Sequence, residues 1–402
     1  MQGVNSSNQT GRERVVVFDT TLRDGEQAAG VCFSKAAKVE IATLLDGMGV
    51  DVIEAGFPGS SAGEHEAVRA VAECVRRARV CGLSRAIPAE VDRSWLALRG
   101  ARSPRIHVFL SSSEIHLAHQ LHRGADEVVE MARAAVERAR GYTDDVEWSC
   151  MDATRSDPEL IARLVRVAIG AGATTINLPD TVGCARPDQV AAMFRELQAR
   201  VPEVGGVTLS FHGQDDLGMA TANSLAAISA GARQVEVAVN GLGERAGNTA
   251  FEEVVMALRV HGEALGVETG VDTRGIWAVS QAVARRSGFA VPPNKAIVGG
   301  NAFRHASGIH QDGVLKCRET YEAVDPAEIG HPVGTQIVLG KLSGRAGFAS
   351  RVRALGIAPS EAALERAFAR FQELADGRSE IADEELAALC REPDTGARAA
   401  RA

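Results

Sequence analysis

Short runs of β-branched and aliphatic residues recur about every 30 residues, and each is followed by a stretch with helical spacing of apolar positions. The first run, Val15 to Phe18, precedes KAAKVEIATLLDGMGV; the second, Val52 to Glu54, precedes EHEAVRAVAECVRRA. RVCGLSRA, RIHVFLSSS, DDVEWSC, TTINLPDTVG, GVTLSFHGQDD and QVEVAVNGLGERAGN continue the series, separated by helical stretches such as ADEVVEMARAAVERAR and PELIARLVRVAIGAG. Eight strand–helix units are the number that closes a (β/α) barrel, in about 250 residues. A TIM barrel is therefore predicted over residues 13–275. The alternative, a doubly wound open sheet, seldom sustains eight such regular units. The pattern breaks over 276–350, where PPNKAIVGGNAFRHASGIHQDG is rich in Gly, Asn and His and lacks long periodic stretches. Residues 351–391 carry two amphipathic helices, SEAALERAFARFQELADG, stopped by Gly377, and SEIADEELAALC. Residues 392–402 read as a disordered tail. The predicted class is α/β: a barrel followed by small mixed and helical C-terminal subdomains.

Composition narrows the function classes. The chain has 402 residues, 45% hydrophobic but only 4% aromatic, which suits a barrel lined with Val, Ile and Leu. A net charge of −8 offers no basic field for nucleic acid or an anionic membrane. No apolar run reaches the roughly 18 residues of a membrane span, and the start MQGVNSSNQTGRER is not a signal peptide. Seven scattered cysteines, never spaced CxxC, read as reduced thiols, so a cytoplasmic protein is expected.

In a TIM barrel the chemistry sits at the C-terminal ends of the strands, and polar residues gather there. Strand one ends in Asp19-Thr-Thr-Leu-Arg23-Asp24-Gly-Glu26-Gln27. Strand four carries His107 and leads to Ser111–Ser113, strand five runs into Ser149-Cys150-Met151-Asp152, and strand six into Asp180-Thr181. Strand seven ends in His212-Gly-Gln214-Asp-Asp, and strand eight in NGLGERAGN, closing at Asn248. Such residues at six of eight strand ends exceed what capping alone requires. Alternation puts His212 and Gln214 on one face. With Asp24 they make a set for one divalent cation, the alternative being that His212 merely caps the barrel by hydrogen bonding. GLGERAG has the look of a phosphate-cradling loop, but no paired acidic residue after a later strand supports a dinucleotide fold.

DTTLRDGEQ with Lys38 eleven positions after Gln27, LPDTVG, DDLGMATANSLAAISAGARQVE, NGLGERAGN, PNKAIVGGNAF, SGIHQDGVLK, TYE and SGRAGF occur in this order. From about Val15 to Leu389 the chain resembles the 2-isopropylmalate and homocitrate synthase family, with RIHVF, YTDDVEWSC and AGATTIN most similar to the bacterial 2-isopropylmalate synthases. The resemblance implies a TIM-barrel acyltransferase that condenses acetyl-CoA, as co-substrate, with a 2-oxo acid and hydrolyses the thioester. It implies Asp24, His212 and Gln214 as metal ligands with Asn248 nearby, and Arg23 facing the developing oxyanion. His107, Ser149 and Thr181 would hold the 2-oxo acid's carboxylate. His310 and Tyr321 would come from a neighbouring chain to serve enolisation and proton handling, hence at least a homodimer. These roles suit the chemistry: a chelated 2-oxo acid has an electrophilic carbonyl carbon, and enolisation needs a base and donors aimed at the enolate oxygen.

Two positions depart from the family pattern. Gln214 stands where the strand-seven motif has a second histidine, which predicts magnesium or manganese in preference to zinc. Met151 stands where strand five has a glutamate; this leaves the Arg23 charge uncompensated and favours an anionic substrate group. Asp152 cannot substitute, because adjacent strand residues face opposite ways. The leading expectation is a 2-isopropylmalate synthase-type activity on 2-oxoisovalerate. The alternatives are the same chemistry on 2-oxoglutarate (homocitrate) or a phosphonate-bearing pyruvate (phosphonomethylmalate), and a catalytically silent barrel. The chain ends before a leucine-sensing domain could begin, so feedback inhibition by leucine is not expected.

Overall fold

The computed structural model describes residues 11–391; the tail expected at 392–402 lies outside the described residues. The chain forms two compact units, divided between Val291 and Pro292.

The first unit is the barrel. Its strands are β1 (Val16–Asp19), β2 (Val52–Gly56), β3 (Arg79–Arg85), β4 (Pro104–Ser111), β5 (Val146–Met151), β6 (Thr175–Asp180), β7 (Thr208–Gly213) and β8 (Gln234–Val237). They pair in parallel in chain order, and β8 closes on β1 with Val16 opposite Gln234 and Asp19 opposite Val237. All eight runs read from the sequence are strands of one closed barrel. The helices that return the chain are α1 (Lys35–Met48), α2 (Ala62–Cys74), α3 (Pro88–Leu98), α4 (Ala125–Arg140), α5 (Pro158–Ala171), α6 (Pro187–Arg200), α7 (Ala220–Ser229) and α8 (Phe251–Leu265). Local chemistry sets their ends: Ser34 Oγ accepts the Ala37 N–H to start α1, and Gly49, at φ 78°, stops it. A ninth helix, α9 (Ile276–Ser287), belongs to this unit and not to the segment after it; Ser280 Oγ donates to Asn240 Oδ1 at 2.6 Å.

The core lies between strands and helices. Ile106, Val108, Trp148, Cys150, Ile176 and Phe211 are fully buried on the outward faces of β4–β7. The expectation of an interior lined with Val, Ile and Leu is wrong for most of the barrel. Bonds between strands that are not neighbours must cross the interior, and they are polar. Arg105 Nη1 on β4 donates to Gln234 Oε1 on β8 at 2.7 Å, and to Glu147 Oε2 at 2.9 Å. One level higher, Asn177 Nδ2 on β6 donates to Glu236 Oε1 on β8 at 2.7 Å. At these levels an apolar cluster lies on one side, where Phe18, Val52 and Cys81 pack with Val16. The reason is period-two alternation: the aliphatic residues visible in β4–β8 are those facing the helices.

The second unit is smaller. Arg304–His305 and Gln336–Ile337 form a two-stranded parallel pair. Helices α10 (Gly308–Lys316), α11 (Arg345–Ala354), α12 (Glu361–Ala375) and α13 (Asp383–Arg391) follow. Phe348, Val352, Leu364 and Phe371 form its own buried core. Among the described residues no helix is long and apolar enough to cross a membrane, and all seven cysteines are free.

Candidate active site

The polar strand ends meet at the C-terminal mouth of the barrel, around a cavity of about 220 Å³. Asp24 comes from the turn after β1, where consecutive N–H groups of Arg23, Asp24 and Gly25 bond back to the Thr20 carbonyl. That turn is anchored from below by Lys38, a fully buried lysine on α1. Its Nζ donates to both oxygens of Glu64 at 2.7 and 2.8 Å and to the carbonyls of Leu22 and Ala55 at 2.9 and 3.3 Å; it pairs with Glu26 at 2.6 Å. Glu64 reaches Lys38 because residue 56 is glycine: a Cβ there would lie 1.8 Å from Glu64 Oε1.

His212, on β7, donates from Nδ1 to Glu236 Oε2 at 2.8 Å, which turns Nε2 toward Asp24 Oδ2, 3.8 Å away. A carboxylate behind the other ring nitrogen is the usual support of a metal-ligating histidine. The Gln214 amide nitrogen donates to the Gly247 carbonyl at 2.9 Å, which leaves its oxygen beside His212 Nε2, 3.3 Å away. Asp24, His212 and Gln214 thus present a carboxylate, an imidazole nitrogen and an amide oxygen to one point, a donor set that fits a divalent cation. Asn248 supports it from behind, with Nδ2 donating to Asp24 Oδ1 at 3.0 Å. The loop that brings it there doubles back so tightly that a Cβ on Gly247, at φ 101°, would sit 2.1 Å from the Gly241 carbonyl oxygen. The glycines of GLGERAG serve this closure, and the loop cradles Asp24: the Glu244 N–H donates to Asp24 Oδ1 at 3.2 Å.

Arg23 is not left uncompensated, contrary to the sequence reading. Its Nε donates to Glu54 Oε2 at 2.5 Å, its Nη1 to Asp24 Oδ2 at 2.6 Å, and Glu236 lies 3.7 Å away. Burial alone would lower the Arg23 pKa, but the Glu54, Asp24 and Glu236 charges outweigh it and hold the guanidinium charged. Burial likewise opposes ionisation of Asp24, and the charges of Arg23 and His212, with the Asn248 hydrogen bond, bring its pKa down to about 2. Glu54 is also lowered, against burial, by Arg23 and His107.

His107 Nδ1 donates to Glu54 Oε1 at 2.8 Å and its Nε2 meets Ser149 Oγ at 2.6 Å. Both line the cavity, as does Thr181, whose Oγ accepts the Asp152 N–H at 2.9 Å. Asp152 itself, at φ 68°, turns away and pairs with Arg155. Toward the mouth the β3–β6 wall is apolar, with Leu83, Phe109, Met151 and Pro179, the last three each two residues beyond the polar His107, Ser149 and Asn177 on β4–β6. His310 and Tyr321 belong to the second unit, both exposed, with ring centroids 4.0 Å apart.

Sequence reasoning missed Glu236 and Asn177, which line the cavity, and Glu54, which is buried beneath it against Arg23 and His107. The signal was present: VIEAG and QVEV each carry a carboxylate mid-strand, where a charge is retained only against a partner. Two further groups of donors converge deeper in the barrel, Glu54 with Cys81 and His107, and His107 with Glu147 and Glu236.

Comparison with known proteins agrees with this architecture. Residues 14–283 match the HMGL-like family, and residues 297–379 match the homocitrate synthase post-HMGL domain-like family. Curated relatives include the 2-isopropylmalate synthases of Methylorubrum populi, 50% identical over 96% of this chain and 74% of that protein, and of Methylococcus capsulatus, 51% identical over 94% and 74%. That of Neisseria meningitidis is 51% identical over the same shares. Among solved structures, the Bacillus subtilis HMG-CoA lyase superposes with a TM-score of 0.59 at 22% identity, covering 70% of this chain and 96% of that one. The carboxyl transferase domain of Rhizobium etli pyruvate carboxylase gives 0.54 at 18%, covering 90% and 56%. These two share the fold.

Proposed function

The chain belongs to the 2-isopropylmalate synthase family, and from that premise we propose that it condenses acetyl-CoA with an aliphatic 2-oxo acid, 2-oxoisovalerate first among them. The acetyl methyl group loses a proton to a base, its carbon bonds to the 2-oxo carbonyl carbon, and that oxygen gains a proton to become a hydroxyl. Water then replaces CoA at the thioester, giving free CoA and a 2-alkylmalate.

The observation that carries this reading is the two-sided cavity: Asp24, His212 and Gln214 converge opposite the apolar wall of Leu83, Phe109, Met151 and Pro179. The cation site would be filled by magnesium or manganese more readily than zinc, because an amide oxygen stands beside a single imidazole. A bound divalent cation supplies a Lewis acid for the 2-oxo carbonyl. Arg23 faces the oxygen on which negative charge develops, and its three carboxylate neighbours fix its orientation. His107, Ser149 and Thr181 hold the acceptor's carboxylate, while the apolar wall takes its side chain. That wall offers no partner to a second carboxylate or a phosphonate, and Arg245, which also lines the cavity, is already held by both oxygens of Asp216, which favours 2-oxoisovalerate over 2-oxoglutarate. His310 and Tyr321 act in enolisation and proton return, supplied by a second copy in a homodimer; both are exposed, as groups that meet a substrate from outside their own unit must be. The reading places the protein in the cytoplasm.

The test is free-CoA release with a panel of 2-oxo acids under magnesium, manganese, cobalt and zinc. Release with 2-oxoisovalerate under magnesium or manganese supports the proposal. A preference for 2-oxoglutarate would reassign the acceptor, and no release with any pair would favour a silent barrel.

A further inference from the structure

Beneath the exposed His310–Tyr321 pair lies a second, buried pair. His305 Nε2 meets Glu322 Oε1 at 2.9 Å, and the two residues are 7% and 8% exposed against 43% for Tyr321. Tyr321 and Glu322 are neighbours at the end of a single turn, where both N–H groups bond back to the Arg318 carbonyl, and there the phenol is exposed and the carboxylate buried. The His305 ring stands edge-on to His310, centroids 6.3 Å apart at 63°, while His310 stacks on Tyr321 at 24°. The Tyr321 ring also lies against α10 at Gly313, where a Cβ would sit 2.5 Å from Tyr321 Cε2. Glu322 is held in turn, its Oε2 accepting from Thr335 Oγ at 2.9 Å, with Arg318 3.9 Å away. The His305 carbonyl accepts from Gln311 Nε2 at 3.0 Å, tying its strand to the helix that bears His310.

We infer that Glu322, acting through His305, is the positioning residue of the His310–Tyr321 pair. A solvent-exposed stack of two rings has little of its own to hold one orientation. Here the imidazole of His305 sets the angle of His310, and the Glu322 hydrogen bond fixes the His305 ring. The role is one of position: Glu322→Gln keeps an acceptor for His305 and a partner for Thr335, whereas Glu322→Ala leaves a buried ring nitrogen without one. The catalytic consequence rests on the reading of His310 and Tyr321 given above.

The chain has only two tyrosines, so Tyr142→Phe leaves Tyr321 as a single spectroscopic reporter. In full-length protein labelled with 3-fluorotyrosine, Glu322→Ala is expected to move the Tyr321 fluorine resonance toward that of free fluorotyrosine, while Glu322→Gln leaves it in place. Turnover is expected to follow: kcat falls on the order of tenfold or more in Glu322→Ala with KM little changed, and Glu322→Gln recovers most of it. An unmoved resonance in Glu322→Ala, or an equal shift in Glu322→Gln, would overturn the inference. His310→Ala measured alongside separates the two layers. If it turns over normally, the catalytic reading of the pair fails, and the fluorine resonance still decides whether Glu322 positions it.

Discussion

Replacing Lys38 by methionine keeps the buried stem and removes one charge from the turn that carries Arg23 and Asp24. In the native arrangement that charge faces two carboxylates, Glu26 at 2.6 Å and Glu64 at 2.7 Å, and two carbonyls. Removing one partner of a buried ion pair costs about 3–5 kcal/mol, because the other is left unpaired. Glu26 and Glu64 keep 22% and 17% side-chain exposure, so water reaches them, and the low end, about 3 kcal/mol, applies. At about 2 °C per kcal/mol for a unit this large, calorimetry should show the barrel transition lowered by roughly 6 °C. Loss of the bond to the Leu22 carbonyl also frees the turn next to Arg23. A displacement near 1 Å there would lower kcat about a hundredfold. The double variant Lys38→Met with Glu64→Gln should regain part of the lost stability, since it removes one of the two carboxylates left unpaired and leaves Glu26. A single variant as stable as the parent, or a double variant destabilised by the simple sum of the two, would refute the reasoning.

Other consequences are measurable in the same protein. Burial raises the Asp19 carboxyl to about 7, against the hydrogen bonds from Thr21. Its folded form therefore binds a proton that the unfolded chain has released between about pH 4 and 7, and its contribution to stability falls as pH rises through that window. Asp19→Asn should be nearly neutral at pH 4.5 and stabilising, on the order of 3 kcal/mol, at pH 8; equal effects at both pH values in urea titrations would contradict this. Gln214→His should shift metal-restored activity after chelation toward zinc, and an unchanged metal profile would remove Gln214 from the cation's ligands. Gly247→Ala must strain a φ of 101° and push against the Gly241 carbonyl. We expect a loss of about 2 kcal/mol or more in stability and weaker manganese binding by calorimetry, with native affinity as the contrary result.

The barrel was legible in the sequence because β-branched runs at a period near 30 residues have few other interpretations. Its interior was not. In β5 the conspicuous residues are Val146, Trp148 and Cys150, which face the helices, while Glu147 and Ser149 between them face inward. Arg23 was placed correctly at the mouth but read as lacking a counter-charge. Its partners, Glu54 and Glu236, sit 31 and 213 residues along the chain, and only barrel closure brings them to it. Strand alternation put His212 and Gln214 on one face, and Asp24 joined them only through the rule that polar strand ends gather at the barrel mouth. The second unit offered the least to periodicity: the buried His305–Glu322 pair depends on contacts between short elements that no local pattern announces.

On the proposed function, this mouth joins the methyl carbon of an acetyl thioester to a 2-oxo carbonyl. That step is tested most directly by incubating the protein with acetyl-CoA labelled with carbon-13 at the methyl position, 2-oxoisovalerate and magnesium, and following the label by NMR. The label is expected to appear as a methylene beside the carbinol carbon of 2-isopropylmalate, with one free CoA per product. Label found only in unreacted acetyl-CoA, or in acetate, would contradict the proposed function.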